Sequence, residues 1–147
     1  MPAPSSPLRP LLLDTHVWIW VMNGWLGKIG YQTHDAVAQA GLDGRILISA
    51  MSVWEIGMLE AKGRIRFSME AGEWVRRALS APGVRITPLS PEVAIDSSRL
   101  PDGVHGDPAD RMLIATARRV GATLVTRDLK ILEYGQQGIL SVLDVRT

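Results

Sequence analysis

The stretch HGDPADR, residues 105–111, sets two aspartates three residues apart, Asp107 and Asp110, at the head of a run, MLIATARRV, with helical apolar spacing. Three more acids stand where a short apolar run gives way to a helical one: Asp14 closing LLLD, Glu55 in SVWEIG after RILISA, and Asp128 closing TLVTRD. Each has a reading of its own as a helix cap. Asp107 before Pro108 is an N-cap followed by proline, Ser52 and Glu55 have the spacing of a capping box, and Asp14 and Asp128 can each cap the helix that follows. The other reading is joint. Carboxylates that converge within a few Å cannot all stay ionised at neutral pH without a counter-charge, and no Lys or Arg adjoins Asp14 or Glu55 in the chain. A divalent cation is the natural partner, and an all-oxygen donor set selects Mg²⁺ or Mn²⁺ over zinc or copper. One or two such ions can lower the pKa of a water, place it in line with a phosphodiester and stabilise the leaving oxygen. The chemistry these residues suggest is phosphodiester hydrolysis.

Convergence needs a scaffold that brings distant acids to one edge. The segments at 11–14, 45–50, 83–89, 123–128 and 139–145 read as strands. Helical patterns separate them near 16–23, 32–42, from Ser52 to a stop at Gly63, over 69–80, after the cap Ser90 with Pro91, over 108–120 and from Leu129. Strands apolar on both faces and separated by helices predict a parallel sheet covered on both sides, an α/β class three-layer α/β/α sandwich. In such a sheet ligands bind at the carboxyl ends of the strands, where all five acids fall.

A chain of 147 residues with 46% hydrophobic residues suits one domain with a real core. No repeat or linker divides it, so residues 1–10 are expected as a short flexible N-terminal segment and 11–147 as the domain. The absence of cysteine excludes disulfides, zinc thiolate sites and a cysteine nucleophile. The N-terminus lacks the uninterrupted apolar run of a signal peptide or membrane span, so a cytoplasmic protein with no membrane partner is expected. The net charge of +1 gives no globally basic surface, but KGRIR at 62–66, Arg118 with Arg119, Arg127 and Lys130 are local basic clusters. A haloacid-dehalogenase-like phosphatase needs a second Asp at position 16, where His16 stands, and Lys130 follows Asp128 too closely for a receiver domain. A glycine-rich phosphate loop is absent.

Taken in order, LLLDTHVWIW, ISAMSVWEIGMLEAKGRI and HGDPADRMLIATARRVGATLVTRD resemble the PIN-domain nucleases, in particular the toxin ribonucleases of VapBC-type bacterial toxin–antitoxin pairs. The likeness runs from about Leu11 to Val145. It implies a three-layer α/β fold and Mg²⁺- or Mn²⁺-dependent endonucleolytic cleavage of RNA. It further implies inhibition by a cognate antitoxin, and a homodimer. By this resemblance Asp14, Glu55, Asp110 and Asp128 are the catalytic, metal-holding acids, and Asp107 is the N-cap that orients Asp110. Thr126, His105 and Arg111 are accessory: a hydroxyl beside an acid, a loop histidine before the motif, and a cation for an acid or a phosphate. Thr15 is expected to serve packing or capping. Trp18, Trp54 and Trp74 are expected in the core or at a subunit interface. Trp20, Trp25 and Met58 are candidate partner contacts, with base stacking a second possibility for Trp25. A PIN nuclease acting without antitoxin, and a non-catalytic PIN-like RNA- or protein-binding module, are the alternatives.

Overall fold

The computed structural model describes residues 8–101 and 106–147. Five strands, β1 (Leu11–Leu13), β2 (Ile46–Ser49), β3 (Val84–Thr87), β4 (Thr123–Thr126) and β5 (Val142–Asp144), form one sheet in the order β3-β2-β1-β4-β5. Every pairing is parallel, with Leu12 opposite Leu47 on one side and Leu124 on the other. Among the described residues seven helices connect them: α1 (Thr15–Met22), α2 (Tyr31–Asp43), α3 (Ala50–Ala61), α4 (Ala71–Leu79), α5 (Pro91–Ser98), α6 (Pro108–Val120) and α7 (Leu129–Gln136). A 3-10 turn at Leu26–Lys28, not anticipated from the sequence pattern, links α1 to α2.

Alternation along β1 builds two cores. Leu11 and Leu13 face α1 to α4 and join Val17, Trp18, Ile56 and Trp74, while Leu12 faces the opposite layer with Leu113, Ile114 and Ile131. Right-handed crossovers explain the layering, since connections running toward β3 and those running back toward β5 must lie on opposite faces. Each fully buried Leu or Ile removes enough apolar surface to contribute about 2 kcal/mol. The central strands β1, β2 and β4 are apolar on both faces, as parallel pairing requires. The edge strand β3 departs from the expectation, because Arg85 and Ile86 are exposed where no further strand covers them.

The helix boundaries follow local chemistry. Ser90 accepts from the Val93 amide at 3.1 Å and Pro91 opens α5. Gly121, at φ 69°, takes the left-handed conformation that ends α6 two residues before β4 begins. Just before β1, the Arg9 carbonyl accepts from Arg45 and the Pro10 carbonyl from the Thr123 amide, so the chain is held to the sheet from residue 9.

Candidate active site

The strand order reverses between β1 and β4: successive crossovers run from β1 toward β3 on one side, and β4 and β5 lie on the other. At this switch point the connections leaving the two strands diverge to opposite faces and open a crevice at their carboxyl ends. A cleft of about 620 Å³ lies there, and Asp14, Glu55, Asp107, Asp110 and Asp128 all line it. His16, Arg127 and Lys130 complete its charged rim. His105 lies outside the described residues.

Asp14 follows β1 at the N-cap position of α1, yet its side chain makes no capping bond. Its Oδ2 accepts instead from the Thr126 hydroxyl at 2.7 Å. Thr126 ends β4 fully buried, and its Oγ1 also accepts the Asp128 amide at 3.0 Å, so one hydroxyl sets the positions of both acids. Burial raises the Asp14 pKa, opposed by the Thr126 bond and by His16. The His16 imidazole is shifted down, by burial first, while Asp14 favours its charged form and Arg127 opposes it.

Glu55 corrects two expectations. Helix α3 begins at Ala50 with Ser49 as its cap, whose hydroxyl accepts the Met51 amide at 3.0 Å, so Ser52 and Glu55 lie in the helix interior and form no capping box. The capping hydroxyl was one turn earlier, in RILIS, and the helix starts directly where β2 stops. Nor is Thr15 mere packing. Its buried hydroxyl donates to Glu55 Oε1 at 2.7 Å and lies 2.8 Å from Ser52 Oγ, tying α1 to α3 beneath the cleft. The Glu55 pKa is raised by burial, against the Thr15 bond, with Asp14 and Asp107 adding to the rise.

Asp107 is the N-cap of α6, its Oδ1 accepting from the Ala109 amide at 2.9 Å and the Asp110 amide at 3.3 Å. Asp110 sits half-buried in the first turn, and its pKa is pushed up to about 7, by burial first and then by Asp107, Asp14, Asp128 and Glu55. Four other acids acting on one carboxyl make it the electrostatic centre of the group. Asp128 is at once a cleft residue and the cap of α7, its Oδ1 accepting from Lys130 and Ile131 at 2.8 and 3.1 Å. Arg111 turns its Nε to the Ser97 carbonyl at 2.9 Å, a bond from α6 to the end of α5.

The acids fit a hard cation in chemistry, all offering oxygen. Among the described residues no three Asp, Glu or His side chains form a group that could enclose an ion as they stand. A hard cation such as Mg²⁺ is ordinarily held by one or two carboxylates with retained water, so a closed cage of three is not required.

His16, Arg127 and Lys130 were not among the residues singled out for the site. His16 follows Asp14 by two residues, and Arg127 and Lys130 flank Asp128, which is the available signal: the first residues after a strand end share its acid's surroundings. Trp54 is 57% exposed and leaves the core reading, whereas Trp18 and Trp74 pack edge to face in the core at 5.0 Å between centroids.

A family model for the PIN domain matches residues 11–136. The chain belongs to the PIN-domain family. Among characterised relatives it is 31% identical to Ribonuclease VapC22 of Mycobacterium tuberculosis over 127 residues, 84% of this chain and 91% of the relative. Its fold is similar to VapBC2 from Rickettsia felis, solved bound to a promoter DNA fragment (TM-score 0.66, 15% identity, 90% of this chain and 96% of that chain). It is likewise similar to VapBC-1 from nontypeable Haemophilus influenzae (TM-score 0.65, 14% identity, 93% and 98%).

Proposed function

We propose that this protein is a divalent-metal-dependent endoribonuclease and the toxin of a type II toxin–antitoxin pair. The observation that carries the proposal is the meeting of five carboxylates from four separate segments in one cleft at the switch point of a parallel sheet. Likeness to a named VapC ribonuclease supports RNA as the substrate, and likeness to VapBC assemblies supports an antitoxin partner.

Asp14, Glu55, Asp110 and Asp128 are the residues we assign to hold Mg²⁺ or Mn²⁺. Bound there, the cation would supply activation of water and stabilisation of the leaving oxygen at the scissile phosphate. The chain's own residues do the positioning. Thr126 holds Asp14, Thr15 holds Glu55, and Asp107 orients the first turn of α6 so that Asp110 faces the cleft. Fixed backbone and buried hydroxyls keep the acids from swinging away from one another when their charges repel. Arg127 and Lys130 at the rim are placed to meet phosphate, and His16 to exchange a proton at the mouth of the cleft. An antitoxin that presents an Arg to these carboxylates would block the site by charge-assisted hydrogen bonding. A homodimer belongs to the same proposal, with the exposed Trp54 as its candidate contact.

Incubation of purified protein with structured RNA in Mg²⁺, Mn²⁺ or chelator tests the reading. Cleavage is expected with metal, and loss of at least about a hundredfold in the Asp14→Asn variant, which keeps shape and removes charge. Unchanged cleavage in that variant sinks the site. Co-expression with a neighbouring small protein is expected to give a stable complex without activity, and an active, unbound protein would leave a nuclease that is not a toxin.

A further inference from the structure

Beside the acidic cleft lies a second groove of about 370 Å³ with the opposite character. It is built from α1, the 3-10 turn, the segment after α3 and the residue after β4, and Trp20, Trp25, Lys28, Arg64, Arg66 and Arg127 line it. Among the described residues no carboxylate does. His16 and Arg127 line both cavities, so the groove opens from the rim of the acidic cleft. Some surface cations are matched to acids, as in Arg45 with Asp43, Arg77 with Glu73 and Arg119 with Asp96. Among the described residues none of Lys28, Arg64, Arg66 or Arg127 forms an ion pair, and all four are exposed. Two are held over one ring: Lys28 Nζ lies 5.3 Å and the Arg127 guanidinium carbon 5.1 Å from the centroid of the buried Trp20. Trp25, 45% exposed, offers a second indole to solvent at the same groove.

We propose that this groove is the path of the RNA strand flanking the scissile phosphate, with Lys28, Arg64, Arg66 and Arg127 on its phosphates and Trp25 stacked on a base. The proposal rests on the nuclease reading and adds where the substrate runs. Single-stranded nucleic acid is the occupant that the combination fits, because a cationic channel tracks a phosphate backbone and an exposed aromatic accepts any base. The groove also answers a problem at the reaction site. Five acids repel a polyanion, and a row of unmatched cations leading to the cleft's rim offsets that repulsion along the strand.

Binding of a single-stranded RNA long enough to span both cavities, measured in the uncleaving Asp14→Asn background over a range of salt, tests the assignment. Replacing Arg64 and Arg66 together by Gln is expected to weaken binding and to make the plot of log affinity against log salt shallower by about 1.4, the contribution of two phosphates on a single strand. Trp25→Ala is expected to cost about fivefold or more, the size of one base stack, with little change in that slope. Arg64→Lys combined with Arg66→Lys should keep the salt slope and serves as the folded control. Affinity and slope unchanged in both the Gln and Ala variants overturn the proposal. So does unchanged RNA binding with loss of a co-expressed protein partner, which makes the groove a protein contact. If the native protein leaves all RNA uncut while the variants still show these binding losses, the nuclease reading fails and the groove stands as an RNA-binding surface.

Discussion

Two aspartates on successive helices of one layer have opposite fates. Asp96 on α5 lies against Arg119 of α6 at 2.7 Å, and that bond holds its carboxyl below the usual range. Asp110, at the other end of α6, is pushed up to about 7 by burial and by four neighbouring acids. Asp43 with Arg45 and Asp144 with Arg146 repeat the first pattern. Asp96, Asp43 and Asp144 are thus matched to cations and ionise easily, whereas Asp14, Glu55 and Asp110 in the cleft are brought together at a cost to their own ionisation. A fold keeps such an arrangement when something other than stability uses it.

The strongest break in that contrast comes from removing charge while keeping shape. Asp128→Asn retains a good N-cap, since Asn caps as well as Asp, so α7 should remain and stability change by less than about 1 kcal/mol, while RNA cleavage falls at least about a hundredfold. Asp107→Asn, a cap of the same quality, should lower cleavage by no more than a few-fold. Equal losses in the two variants would erase the division between the capping acid and the working acid.

Thermal melts sharpen the electrostatic side. Saturating Mn²⁺ or Mg²⁺, at about a hundred times its dissociation constant, should stabilise the protein by about 2.7 kcal/mol. Without metal, Asp110 binds its proton in the folded state up to about pH 7 but loses it near the ordinary carboxylate value when unfolded. Its contribution to stability should therefore fall as pH rises from about 4 to about 7. Asp110→Asn should remove that decline and raise the metal-free melting temperature at pH 8 by about 3 °C, for about 1 kcal/mol after allowance for solvent screening. A variant with the same pH profile as the native chain would refute the assignment of strain to this carboxyl.

Thr126→Val deletes the hydroxyl between Asp14 and Asp128 at nearly constant volume. About 1 kcal/mol of stability should go with the bond, and the acid limb of the cleavage–pH profile should move upward as Asp14 loses the donor that favours its ionised form. The smallest effect is expected at the comparison site: Asp96→Asn, away from the cleft and in a solvent-screened pair, should shift the denaturant midpoint only slightly and leave cleavage within twofold. A larger loss of activity there would mean that the α5–α6 face also serves the substrate.

Much of this was legible in the chain. The alternation of short apolar runs with helical spacing determined a parallel α/β sandwich, because side-chain period and burial on both faces are local properties of the sequence. Capping at Asp107, Asp128 and Ser90 was equally legible, since a cap acts on amides two or three residues away. Ser49 was missed as the cap of α3 because Ser52 and Glu55 supplied the same pattern three residues later, and only the end of β2 decides between them. Thr126 was legible as a hydroxyl beside an acid, but which carboxylates Thr15 and Thr126 bond was not, since Glu55 and Asp14 lie 40 and 112 residues away along the chain. That Asp14 declines its capping role, that Arg127 and Lys28 share one indole, and that an acidic and a basic cavity meet at His16 and Arg127 were decided by the tertiary structure alone. Sequence determines which residues prefer helix, strand or cap; the strand order determines which distant residues meet, and with them the electrostatics of the cleft.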